Sequence, residues 1–176
     1  MSVARPSATP KRQGERGAAR YEVGIAGAGQ LARMTCLAAW PLGIRVAVLG
    51  RPSEPSAPMA AGLVEGDWKD AEAVAALGRE VGVVTLENEF VDAAALAAVE
   101  AAGTLVRPGA SALAVVQDKA LQKEMLREAG LPVPRFVVAE RREDLEAAGR
   151  DLGWPLMLKA RKLGYDGYGN ATCPDP

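Results

Sequence analysis

An apolar run, Tyr21 to Ala26, leads directly into Gly27-Ala28-Gly29 and then into a stretch of helical periodicity. This junction constrains the fold more than any other feature of the chain. Leu31, Met34, Leu37 and Ala38 recur on one face at helical spacing, in a helix expected to reach about Trp40 before Pro41 and Gly43 end it. A second apolar run, Ile44 to Leu49, completes a strand–helix–strand unit whose strands must be parallel, because a helical crossover returns the chain in the same direction. The pattern repeats. Leu63-Val64 reads as a short strand, Asp70 as the cap of a helix with Val74, Leu77 and Val81 on its apolar face, and Val83 to Leu86 as a buried strand. Asp92 then caps a helix that turns Leu96 and Val99 inward and stops at Gly103, before a strand over Thr104 to Val106. Strands alternating with helices specify an α/β domain over 21–107 with an open parallel, Rossmann-like sheet.

Composition narrows the function. The chain of 176 residues has no histidine, which excludes Ser-His-Asp and Cys-His catalysis and histidine-ligated zinc. Its two cysteines, Cys36 and Cys173, are too few for a disulfide scaffold, and a cytoplasmic location is expected. A net charge of −1 and an aromatic content of 5% argue against nucleic acid as a partner. No segment approaches the roughly 20 apolar residues of a membrane span. Residues 1–20 carry Arg5, Lys11, Arg12, Arg16 and Arg20 against Glu15 with no apolar run, and read as a disordered tail.

Beyond a hinge expected at Pro108 to Ser111, a second segment over 112–176 reads as α+β. Asp118 caps a helix to about Ala129 with Leu121, Met125 and Leu126 apolar, Arg135 to Val138 reads as a strand, and a helix spans about Asp144 to Leu152. Trp154 to Leu158 is a buried strand that delivers Lys159 to a loop containing Gly164, Gly167 and Gly169. Backbone N–H groups of such a loop can converge on an anion beside the lysine, which makes it a candidate phosphate cover. Lys119 sits in the first turn of its helix, where a cation opposes the helix dipole, and a bound phosphate would relieve that conflict.

Two further groups lie at the carboxyl edge of the parallel sheet, where ligands of such folds bind. Gly27, Gly29 and Ala32 fit a Gly-x-Gly-x-x-Ala dinucleotide turn; no carboxylate follows the second strand, and Arg51 could instead meet the 2′-phosphate of NADP. Glu87 and Glu89 follow the strand ending at Leu86. An NADP-binding oxidoreductase domain and a non-catalytic interaction fragment both fit these residues.

The string Lys159…Gly164-Tyr165-Asp166-Gly167-Tyr168-Gly169-Asn170 resembles the nucleotide-covering loop of ATP-grasp enzymes, and more narrowly that of the carboxyaminoimidazole ribonucleotide synthetase family. Tyr168 stands where that family carries a basic residue, Asn170 where it carries glutamine, and Leu163 and Ala32 where it carries glycine. Gly27-Ala28-Gly29-Gln30-Leu31-Ala32-Arg33-Met34, the Glu87-Asn88-Glu89-Phe90 stretch and Gln117-Asp118-Lys119 resemble further family motifs in the same order. The resemblance implies a pre-ATP-grasp domain followed by the first part of an ATP-grasp domain, which ends early enough to suggest a truncated enzyme. It implies ATP held by Lys119, Lys159, Gly164, Gly167, Tyr168, Gly169 and Asn170. The 5-aminoimidazole ribonucleotide would meet Gly29, Gln30, Leu31, Glu87 and Glu89, with Tyr165 and Asp166 as catalytic residues. Bicarbonate would be the second substrate, magnesium would be held by ligands of the family's next subdomain, and the full-length protein would be a homodimer.

Overall fold

The computed structural model describes residues 18–164 and 167–175. Five parallel strands form its main sheet: β1 (Tyr21–Ala26), β2 (Val46–Gly50), β3 (Gly62–Glu65), β4 (Val81–Leu86) and β5 (Leu105–Val106), in the order β3-β2-β1-β4-β5. The register sets Val23 opposite Val46 on one side of β1 and Val83 on the other. Strand order reverses at β1, so the crevice of the sheet opens between the ends of β1 and β4. Three helices cover the sheet: α1 (Gln30–Ala39), α2 (Ala71–Glu80) and α3 (Ala93–Ala101).

The period-2 alternation of the strands builds two cores. Ile25, Val46 and Val48 pack with Ala32, Cys36 and Ala39 of α1. Their sequence neighbours Ala26, Ala47 and Leu49 pack with Val74 and Leu77 of α2 and Leu96 and Val99 of α3. Cys36 is buried in the first core, and burial pushes its thiol pKa up. Asp70 and Asp92 cap as expected, each accepting a backbone N–H two residues on.

Four expectations are corrected. The stripe Leu31, Met34, Leu37 and Ala38 faces outward, with Leu31 58% exposed, because the sheet approaches so closely that only the small residues Ala32, Cys36 and Ala39 fit beneath α1. Val81 belongs to β4 rather than to the helix before it, since its backbone pairs with Tyr21. Pro108 to Ser111 is not a hinge but the entry to α4 (Ala110–Val116), whose Ala110 and Leu113 are buried against the first domain. Residues 135–138 form no strand, because no described segment offers them a ladder of hydrogen bonds.

The second region contains α5 (Lys119–Glu128), α6 (Arg142–Leu152) and an antiparallel pair, β6 (Leu156–Lys159) and β7 (Asn170–Cys173). Leu121 and Met125 of α5 are each 49% exposed. No helix among the described residues is long and apolar enough to cross a membrane.

Candidate functional site

The crevice between β1 and β4 is filled from within. The backbone of Glu87 continues β4 by donating its N–H to the carbonyl of Ala26, 3.2 Å away. That bond aims the Glu87 side chain at the start of α1. Its carboxylate accepts the backbone N–H of Gly29 at 2.7 Å, of Leu31 at 3.1 Å and of Ala32 at 3.3 Å. These are orphan donors of a helix whose own N-cap, Gly29, has no side chain to offer. The glycines are explained by this carboxylate. A Cβ at Gly29 would lie 2.5 Å from Glu87 Oε1, and one at Gly27 would lie 2.5 Å from Oε2, at a φ of +125° that disfavours any side chain. A dinucleotide would have to place its pyrophosphate where the turn already holds an anion, so the geometry disfavours the NADP reading. Arg51 is exposed, with its backbone N–H bonded to Glu54 Oε2 at 2.6 Å.

Gln30 and Leu31 stand exposed at the start of α1, and Glu89, two residues after Glu87, is half-buried. Gln117 ties this edge to the second region: its Nε2 donates to the carbonyls of Glu89 and Val91, each at 2.7 Å. The next residue, Asp118, is 2% exposed. It caps α5 by accepting the backbone N–H groups of Ala120 and Leu121 at 3.0 and 3.3 Å. Arg161 Nε donates to both of its oxygens, at 2.7 and 2.8 Å. This guanidinium holds the Asp118 carboxyl below the usual carboxylate range, against the opposing effect of desolvation, and the two backbone bonds add to it.

The same junction brings Lys119 to the glycine loop. Its backbone N–H donates to the Arg161 carbonyl at 2.9 Å and its Nζ to the Gly164 carbonyl at 3.4 Å. A Cβ at position 164 would lie 2.9 Å from that ammonium nitrogen. The base of the loop is closed by the Ala160 N–H on the Gly169 carbonyl at 2.6 Å, and Lys159 pairs with Asn170 across β6 and β7. Gly167 and Tyr168 are exposed at its outer side. Tyr165 and Asp166 lie outside the described residues.

Lys119 and Lys159 both line a cavity of about 810 Å³ between α5, residues 134–140, α6 and β6. Phe136, Val138, Leu145, Leu156 and Leu158 supply apolar walls, while Lys119, Lys123, Lys159 and Arg161 supply cationic ones. Its volume falls in the roughly 300–1,000 Å³ range of small-molecule sites, and an apolar wall beside cations suits a flat ring carrying phosphates. The sequence groups Lys119, Lys159 and the loop glycines, and separately Gly29, Gln30, Leu31, Glu87 and Glu89; the structure bonds Lys119 to Gly164, sets both lysines along one cavity, and bonds Gly29 and Leu31 to Glu87. Sequence reading missed Gln117, Asp118 and Arg161 as a connected set. Asp118 was legible only as a cap, and nothing in the spacing of 43 residues announces its partner Arg161.

Comparison with known proteins adds independent findings. Residues 21–117 match the ribonucleotide synthetase preATP-grasp domain, and residues 124–176 match the ATP-grasp domain. The N5-carboxyaminoimidazole ribonucleotide synthase of Pseudomonas aeruginosa is 36% identical over 155 residues, which cover 88% of this chain and 43% of that protein. The crystal structure of carboxyaminoimidazole ribonucleotide synthase from Aspergillus clavatus complexed with ATP superimposes with a TM-score of 0.79 at 39% identity, covering 88% of this chain and 41% of that one. A structure of the Aspergillus clavatus synthase with ADP and 5-aminoimidazole ribonucleotide gives the same TM-score of 0.79 at 37% identity. The chain therefore spans about two fifths of the length of these relatives.

Proposed function

Because the chain belongs to the ribonucleotide synthetase preATP-grasp family and continues into an ATP-grasp match, we propose that it serves the ATP-dependent carboxylation of 5-aminoimidazole ribonucleotide with bicarbonate in purine biosynthesis. The observation that carries this reading is the cavity lined by both Lys119 and Lys159 beside the loop that begins at Arg161. In this reading the adenine lies on the apolar wall at Phe136 and Leu158. The two lysines neutralise phosphate oxygens, and the backbone of residues 164–170 covers them.

The ribonucleotide belongs at the β1–β4 crevice, against Gly29, Gln30, Leu31, Glu87 and Glu89. There the bound Glu87 carboxylate keeps the turn rigid and turns away a second anion, so the sugar and base, rather than a phosphate, face it. Tyr165 and Asp166 act toward the same substrate from the loop. The reaction balances in two steps: a bicarbonate oxygen attacks the γ-phosphorus and releases ADP, then the exocyclic amine attacks the carbonyl carbon and releases phosphate. Excluding water protects the reactive acyl phosphate between them, which is the use of a covering loop. Magnesium would supply charge neutralisation at the transferring phosphoryl group. Among the described residues no group of three or more His, Cys, Asp or Glu side chains is gathered for a metal, so no step is assigned to an ion held here.

Calorimetric titration of the chain with ATP tests the nucleotide site. Lys159→Ala should weaken binding by about one to two decades, the effect of losing a charged hydrogen bond. Equal affinity in both proteins, or no binding by the unmodified chain, overturns the assignment.

A further inference from the structure

Three contacts join the start of α5 to the first residues of the glycine loop, and one of them, the Asp118–Arg161 pair, involves no residue that the nucleotide reading uses. Lys119 Nζ reaches the Gly164 carbonyl, but the Lys119 N–H and the Asp118 carboxylate both hold Arg161. Asp118 is almost completely buried, whereas the Arg161 side chain is half exposed, so the pair anchors a surface loop to a fixed interior point. A buried carboxylate left without its cation is costly, which keeps the loop base in this place rather than free to swing. The point itself is fixed from the other side by Gln117, bonded to the carbonyls that flank Phe90.

We propose that Arg161 and Asp118 are positioning residues for the nucleotide. Their pair hangs the start of the glycine loop, residues 161–164, from the N-terminus of α5 and so holds it and the Lys119 ammonium at the edge of the nucleotide cavity, without Arg161 having to touch the phosphates. The proposal rests on the nucleotide reading above and deepens it.

Limited chymotrypsin digestion of the chain, with and without ATP, separates the two ideas. The exposed Leu163 and Tyr168 offer cleavage points in the loop. Without nucleotide, Arg161→Gln should speed loop cleavage several-fold over the unmodified chain and leave the first domain intact. In calorimetry it should lower ATP affinity by about tenfold, as for one lost charged hydrogen bond, and Arg161→Lys should restore part of both. Unchanged loop cleavage in Arg161→Gln overturns the proposal. So does faster cleavage with unaltered ATP affinity, because the pair would then be structural only. Reduced affinity with an unchanged loop overturns it in favour of direct contact. Failure of the unmodified chain to bind ATP sinks the nucleotide reading and this refinement with it. That failure is told apart from the others by the nucleotide-free cleavage rates.

Discussion

The two regions of this chain are held together by different physics. In the first domain the strands carry fully buried residues such as Val48, Leu49 and Val84, and helices cover both faces of the sheet. Among the described residues after Asp118, only Ala148 and Gly149 are buried. There the described order comes from polar ties: Asp118 with Arg161, Lys119 with residues 161 and 164, and the four-residue pairing of β6 with β7. Hydrophobic burial scales with area and tolerates changes of pH. A buried ion pair is local, and its strength follows the charge of its members. The scaffold is thus insulated from solution conditions that the nucleotide-facing region feels.

The contrast can be broken most forcefully in the first core. Leu77→Ala, at a position with no exposure, should cost about 2–5 kcal/mol, whereas Leu121→Ala in α5, half exposed, should cost under about 1 kcal/mol. Denaturant unfolding of both variants measures the difference, and equal costs would erase the distinction. Next in size is Glu87→Ala, which strips the backbone N–H groups of Gly29, Leu31 and Ala32 at the start of α1 of their acceptor and should cost about 1–2 kcal/mol, in the range of a lost helix cap. Hydrogen exchange should show the loss concentrated at the first turn of α1.

Acid should then act on the second region first. The folded pKa of Asp118 is lowered, so its contribution is complete above the ordinary aspartate value of about 3.9 and is lost as pH falls through the lowered folded value. Protease resistance of the loop should fade over that window at a pH where the sheet still gives its native circular dichroism. A loop that is released only together with the sheet would contradict this. The smallest effect is expected at Glu22, whose carboxyl is drawn down to about 2 by bonds to the Arg45 side chain and backbone. Its contribution is present above the ordinary glutamate range and fades only as pH falls toward about 2. The pair is exposed, so Glu22→Gln should leave the melting temperature nearly unchanged at neutral pH.

The same division explains what the sequence disclosed. Apolar periodicity located β1, β2, β4 and the helices around them because burial writes itself into residue spacing. Asp70, Asp92 and Asp118 were legible as caps because their partners are two or three residues away. The outward stripe of α1 misled because periodicity marks an apolar face without saying which face the sheet covers. The glycines at 27 and 29 resembled a cofactor turn, but their crowding partner, Glu87, lies 58 residues from Gly29 and is visible only in space. Arg161 was hidden for the same reason. Residues 135–138 have strand composition without a described strand to pair with, and a strand is a relation between segments rather than a property of one.

The borrowed acceptor at the start of α1 also bears on the order in which the chain folds. Helices α2, α3 and α5 carry their own caps and can begin within a few residues of contour. Helix α1 cannot, because its first turn is completed only when β4 has docked beside β1 and closed a loop of more than fifty residues. Closure of that length costs entropy before any reward arrives. Helix α1, the first of the described helices in chain order, should therefore be among the last to gain protection in pulse-labelled refolding, and early protection of Ala32 would contradict this. The crevice, built at that same meeting of β1, α1 and β4, would then come into being as a late event in the maturation of the domain.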